Sequence, residues 1–400
     1  MGRLAAALAA VAVLCVTLAA GAEVVDEFGG GASFIFGDSL VDAGNNNYIP
    51  TLSRANMTPN GIDFAASGGA PTGRFTNGRT IADIIGEMLG QADYSPPFLA
   101  PNATGGAILN GVNYASGGGG ILNATGKVFV NRIGMDVQVD YFNVTRGQLD
   151  ALLGRDRARE FLRRKAIFSV TVGSNDFLNN YLMPVLSTGT RIRESPDAFV
   201  DDLIFHLRDQ LTRLYTLDAR KFVVANVGPL GCIPYQKTIN RVGEDECVKL
   251  PNQLAAQYNS RLRELIIDLN AGLPGARFCL ANVYDLVMEL ITNYPNYGQL
   301  AYIALHYDID HAHICMHHHL LAWVDAGFQT ASVACCGNGG SYDGLVPCGP
   351  TTSLCDARDK HVFWDPYHPS EAANVLLAKY IVDGDSKYIS PMNLRKLYSL

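Results

Sequence analysis

The sequence has no surplus of basic charge: 31 Lys and Arg stand against 38 Asp and Glu in 400 residues, for a formal net charge of −7. Such a chain has nothing with which to neutralise a phosphate backbone, which excludes nucleic acid as a partner. Beyond residue 22 no apolar run reaches the roughly 18 residues that a membrane helix needs, so no integral membrane segment is expected in the mature chain. Pro/Ser-rich linkers and internal repeats are missing too. Length alone permits two domains, but without a linker the expectation is one domain over residues 23–400. Only 17% of residues are charged while 48% are hydrophobic, which rules out a disordered chain, and the length rules out a small disulfide-stapled scaffold.

The N-terminus supplies a clear signal. Arg3 is followed by an Ala/Leu/Val stretch to Ala20, and Ala20-Gly21-Ala22 precedes the first acid, Glu23. A basic start, an apolar core and a small-x-small site predict a secretory signal over residues 1–22, cleaved after Ala22. Loss of Cys15 with that signal leaves eight cysteines, of which Cys335, Cys336, Cys348 and Cys355 crowd a short Gly-rich stretch. In an exported chain these read as disulfides; zinc ligation is the competing reading, but no paired Cys-x-x-Cys supports it. Cys279, in an apolar strand context, reads as a free buried thiol. Four Asn-x-Thr sequons, at Asn56, Asn102, Asn123 and Asn143, predict glycosylation.

Short β-rich runs alternate with helical periodicities, the pattern of an α/β three-layer sandwich whose central, mostly parallel sheet carries helices on both faces. Strands are expected at Ser33 to Phe36, Gly111 to Ala115, Ala166 to Val172, Lys221 to Val227 and Ala276 to Val283. Helical stripes run through Ile81, Ile84, Ile85, Met88 and Leu89, and through Leu203, Leu207, Leu211 and Leu214 after the Ser195-Pro196 cap. A third follows Pro251. Three strands end in Gly-rich or small polar turns: Gly37-Asp38-Ser39, Ser116 to Gly120, and Gly173 to Asp176. Ligands of open α/β sheets bind at the carboxyl ends of the strands, so these turns are expected to line one crevice.

Those turns hold the parts of an acyl-transfer site. A serine hydroxyl needs a base, and Asp365-Pro366-Tyr367-His368 offers a histidine with an acid three residues upstream to orient it. Ser39 and a Gly turn could supply backbone N–H groups to an oxyanion, and Asn175 a side-chain amide. Each part is weak by itself.

Read together, the blocks resemble the plant GDSL esterase/lipase family of the SGNH hydrolase superfamily. Phe34-Ile35-Phe36-Gly37-Asp38-Ser39-Leu40 carries the first block, and Asn45 to Asn47 end it. Pro71 to Thr80, Gly111 to Gly118, Val172 to Phe177, Gly228 to Cys232 and Asp365 to Ser370 follow in the family's order. The resemblance implies an SGNH hydrolase-like, flavodoxin-like topology and a secreted serine ester hydrolase of the apoplast or cell wall. It implies Ser39 as nucleophile, His368 as general base, Asp365 as its orienting acid, and Ser39, Gly118 and Asn175 as the oxyanion hole. No cofactor or metal is called for, and the partner is an ester substrate: a lipid, a phenolic ester or an acetylated carbohydrate. The missing Gly-x-Ser-x-Gly elbow around Ser39 argues against an ordinary α/β-hydrolase. Asp38, Asp42 and Asp176 read as turn and capping residues. The same site would also serve acyl transfer to another alcohol, and a relative that lost turnover would be a secreted glycoprotein binding carbohydrate or protein.

One stretch departs from the family pattern. Residues 300–325 interrupt it before Gly327-Phe328 resumes it, and they hold His306, His311, His313, His317, His318 and His319. An unspliced intron or gene-model error is the favoured reading, ahead of a surface loop; a metal-binding insertion is the third, since His311-x-His313 and His313-x-x-x-His317 are ligand spacings.

Overall fold

The computed structural model describes residues 31–183, 195–297 and 327–400. The signal at 1–22, Cys15, and the histidine-rich stretch at 300–325 with Cys315 lie outside the described residues.

Four parallel strands, β1 (Ala32–Gly37), β2 (Ala166–Thr171), β3 (Lys221–Ala225) and β4 (Arg277–Ala281), lie side by side in chain order, and the short β5 (Ile389–Ser390) adds an antiparallel edge. β1 and β3 are buried throughout, as a sheet covered on both faces requires. The register places Phe34, Phe168, Phe222 and Phe278 opposite one another, with ring centroids 5.2, 5.6 and 4.2 Å apart. This phenylalanine row anchors the larger core, beneath α2 (Met135–Leu153), α3 (Arg155–Arg164), α4 (Pro196–Thr216) and α5 (Lys249–Gly272). The opposite face lies under α1 (Ile81–Met88), α6 (Val283–Thr292), α7 (Glu371–Asp383) and α8 (Leu394–Ser399).

Four of the five expected strands form, with ends shifted by one or two residues. The fifth needs correction: Gly111 to Ala115 is not a continuous strand. It runs parallel to β1, bonded through Ile35 N to Val112 O and Tyr114 N to Ile35 O, but only as an isolated bridge, with Pro97 bridged to Asn113 on the other side. Counting it as a strand beside β1, the order of these parallel segments across the sheet, numbered along the chain, is 2-1-3-4-5. The strand order therefore reverses beside β1, where α/β sheets bind ligands.

The helix caps follow from sequence. Ser195 accepts from Ala198 N with Pro196 at the first helical position, and Thr80 forms a capping box with Asp83. α2 and α3 are absent from the sequence reading. The buried face of α2 carries Gln138, Thr145 and Arg146 among its apolar residues, which breaks the stripe that periodicity detects.

Three disulfides join Cys232 to Cys247, Cys335 to Cys355 and Cys336 to Cys348, and Cys279 is a buried free thiol. The four cysteines of the Gly-rich stretch are thus disulfides rather than zinc ligands. Among the described residues, no helix is long and apolar enough to cross a membrane.

Candidate active site

At the carboxyl end of β1 the chain must turn sharply. Gly37 makes this possible, since a Cβ there would fall 2.2 Å from the Thr171 carbonyl oxygen. The turn is pinned from three sides: Asp38 N donates to Thr171 O, Leu40 N to Asp38 Oδ1, and Ser116 N to Gly37 O. Ser39 leaves it half-buried, on the wall of a cleft of about 330 Å³.

Across that cleft, 329 residues along the chain, His368 Nε2 lies 2.7 Å from Ser39 Oγ. Its other ring nitrogen, Nδ1, is 2.8 Å from both Asp365 oxygens. Asp365 Oδ1 also accepts the backbone N–H groups of Tyr367 and His368, so the Pro-bounded turn fixes the acid and the imidazole as one unit. With its Nδ1 facing a carboxylate, the ring carries a proton there and leaves Nε2 free to accept from the Ser39 hydroxyl. Both residues are buried. The Phe75 ring packs 5.2 Å from the imidazole, and Thr76 Oγ1 donates to Pro369 O, which gives the second sequence block a supporting place.

Gly118 and Asn175 line the same cleft as Ser39. Gly118 has φ +80°, and a Cβ there would meet the Phe129 ring at 2.5 Å, so glycine is required on both counts. No acceptor among the described residues receives the N–H of Ser39 or of Gly118. The Asn175 amide is oriented at both ends: its Oδ1 accepts from Asn179 Nδ2, and its Nδ2 donates to Gly119 O at 3.0 Å, leaving a second N–H. All five residues expected from sequence therefore share one cleft.

The buried aspartates do more than cap turns. Asp42 does accept locally, from Gly44 and Asn45 N, but its other oxygen accepts Gly117 N and ties the Gly-rich turn to the first block. For Asp176 the turn reading is corrected: it accepts Ile121 N, Leu122 N and Thr125 Oγ1, all on the Gly-rich loop. Burial pushes both carboxyls up to about 6, against the hydrogen bonds that favour their charged forms. Asp38 is shifted further: it is buried, its Oδ2 has no hydrogen-bond partner among the described residues, and burial raises it to about 7.

Sequence reasoning misses Gln138. Fully buried on α2, it grips Gly37 and Ile133 and so carries the Ser39 turn. A lone glutamine in a weakly patterned segment leaves no signal of this role. The disulfide-held loop was legible as a loop, but not that Pro347 and Cys348 would reach the cleft wall.

Two comparisons bear on this site. The family model for GDSL-like lipase/acylhydrolase proteins matches residues 34–381. Three similar proteins, all GDSL esterase/lipases of Arabidopsis thaliana, are 65%, 59% and 48% identical over 374, 370 and 369 residues. The alignments cover 93%, 92% and 92% of this chain, and 89%, 91% and 91% of the relatives.

Proposed function

Because the chain belongs to the GDSL-like lipase/acylhydrolase family, we propose that it is a secreted carboxylic ester hydrolase working through an acyl-enzyme on Ser39. The observation that carries this reading is the 2.7 Å contact of Ser39 Oγ with a His368 ring that Asp365 holds from behind.

In the first half-reaction the Ser39 hydroxyl attacks the ester carbonyl carbon while His368 Nε2 takes its proton. Asp365 stabilises the imidazolium so formed. The carbonyl oxygen, now an oxyanion, is met by the N–H groups of Ser39 and Gly118 and by the second amide hydrogen of Asn175. His368 then gives its proton to the departing alcohol. Water repeats the sequence on the acyl-enzyme: His368 takes the water proton, hydroxide adds to the acyl carbon, and the proton returns to Ser39 Oγ as the acid leaves. Every proton in the cycle passes through His368.

Export rests on the residue 1–22 signal, on three disulfides of the kind an oxidising compartment favours, and on the four sequons, whose Asn56, Asn102, Asn123 and Asn143 are all exposed. Residues 23–400 are read as one domain, since the site draws on both ends of the described chain.

Hydrolysis of p-nitrophenyl acetate by the wild type and by Ser39→Ala tests the reading. The variant is expected to lose about 10⁶-fold in kcat. Equal rates would sink it.

A further inference from the structure

The two faces of the sheet are filled differently. One carries the phenylalanine row; the other, in the same register, carries Ile35, Ser169, Val223 and Cys279, with Thr171 and Ala225 nearer the carboxyl ends. Val223, Ala225 and Cys279 pack on Ile381, Val382 and Leu394 of the helices above, but beside the short Ser169 and Thr171 side chains a cavity of about 140 Å³ remains between the sheet and α1, α6, α7 and α8. Protein interiors are normally packed as tightly as organic crystals. Ser169 and Thr171 belong to β2, which has neighbours on both sides, yet both are only partly buried.

The cavity wall is mostly hydrocarbon, with Ile81, Ile85, Leu377 and Ile381 facing the strands. Its amide groups are satisfied elsewhere. Asn226 bonds Asn282 and Tyr284 N, and Asn374 donates to Arg79 O. Ser33 Oγ accepts from Gln91. With these groups paired, the Ser169, Thr171 and Ser174 hydroxyls are the remaining polar groups of a wall dominated by hydrocarbon, and such a cavity takes up hydrocarbon in preference to water.

Its position gives the hydrocarbon a source. Leu40, Ser174, Leu230, Ile233 and Tyr367 line both this cavity and the Ser39 cleft. Leu40 follows Ser39 and Tyr367 precedes His368, so the shared wall stands next to the reacting atoms.

Resting on the esterase reading, we propose that this cavity is the acyl-chain site. The alkyl tail of the acyl group carried by Ser39 passes the Leu40, Leu230 and Ile233 wall and lies on the small-residue face of the sheet. The favoured substrates are therefore esters of unbranched aliphatic acids. A cavity of about 150 Å³ accepts benzene, so a segment of roughly six carbons fits beyond the wall. Each methylene taken up raises kcat/KM about fourfold until the space is filled.

The test compares p-nitrophenyl octanoate with p-nitrophenyl acetate in the wild type, Ser169→Leu and Ile233→Ala. Filling the cavity with Ser169→Leu is expected to lower the octanoate-to-acetate ratio of kcat/KM at least tenfold; a ratio within twofold of wild type overturns the proposal. Where Ser169→Leu does not fold, Ile233→Ala decides: widening the wall is expected to raise the p-nitrophenyl decanoate-to-octanoate ratio threefold or more, and no rise overturns it. Octanoate binding, measured by calorimetry on Ser39→Ala, separates this proposal from the esterase reading. Binding that Ser169→Leu weakens tenfold supports the cavity even if no ester is turned over. Turnover of acetate with no octanoate binding overturns the cavity and leaves the esterase reading standing.

Discussion

Gln138 holds Gly37 by both of its backbone groups: Gly37 N donates to Gln138 Oε1, and Gln138 Nε2 donates back to Gly37 O, each at 2.8 Å. The same Nε2 reaches Ile133 O. One side chain on α2, 101 residues away, thus fixes the end of β1 from which Ser39 projects. Gln138→Leu keeps the bulk but leaves the Gly37 N–H and the Ile133 carbonyl buried without these partners. At about 1–3 kcal/mol for each such group, unfolding in urea is expected to show a loss on the order of 3 kcal/mol. The kcat for p-nitrophenyl acetate should fall as well, because the Ser39 turn loses its support. An unchanged urea midpoint would show that the clamp carries no stability.

Asp365→Asn separates orientation from packing. The Asn side-chain oxygen can still accept from Tyr367 and His368 N, so thermal stability should change little. Its NH2 group, however, faces Nδ1 and favours the wrong imidazole tautomer. A fall in kcat of about 10⁴-fold is expected, with KM nearly constant. Steady-state kinetics beside a melting curve check both halves, and a tenfold or smaller loss would contradict the assigned role.

Stability should decline as pH rises from 4 to 7. Asp38, Asp42 and Asp176 titrate at about 7, 6 and 6 in the fold because burial disfavours their charged forms. Folded chains then hold protons that unfolded chains have released, so raising the pH in this window favours unfolding. Below the ordinary carboxylate range the sign reverses: the Arg74 guanidinium holds Asp83 low and Arg358 holds Asp63 low, and protonating those acids removes support. The melting temperature should peak near pH 4 to 5. Asp38→Asn should flatten the fall between pH 5 and 7.5, and a profile identical to wild type would contradict the account.

Cys279 should be chemically silent in the native protein. It is fully buried in β4, and burial pushes its thiol up to about 11, so almost no thiolate exists at neutral pH. Mass spectrometry of the Cys279 peptide is expected to show iodoacetamide labelling only after denaturation. Labelling of the folded enzyme within minutes would refute this.

What sequence reveals here follows the range of each interaction. Ser39 and Asn175 sit in blocks that end strands, while Asp365 and His368 are three residues apart in a turn that prolines delimit, so local pattern suffices to place them. Their convergence follows from the sheet, whose strands alternate visibly with helices. Gln138 and Asp176 act over 101 and about 55 residues through single hydrogen-bonding groups, and polar residues of that kind leave no periodic trace. Gly111 to Ala115 looks like a strand because it has strand composition, but it is bridged to β1 and to Pro97 only at Asn113. The cavity is the least legible feature. Ser169, Val223 and Ala225 are ordinary strand residues, and only their shared face and register show that together they leave space.

The central claim is that Ser39 forms a covalent acyl-enzyme with His368 as its base, and a fluorophosphonate probe tests it most directly. Incubated with the folded protein, the probe should leave its phosphonyl mass on the peptide containing Ser39. Labelling should be lost in Ser39→Ala and slowed at least a thousandfold in His368→Ala. A wild-type enzyme that cleaves p-nitrophenyl acetate yet leaves Ser39 unlabelled, or that is labelled on another serine, would contradict the account.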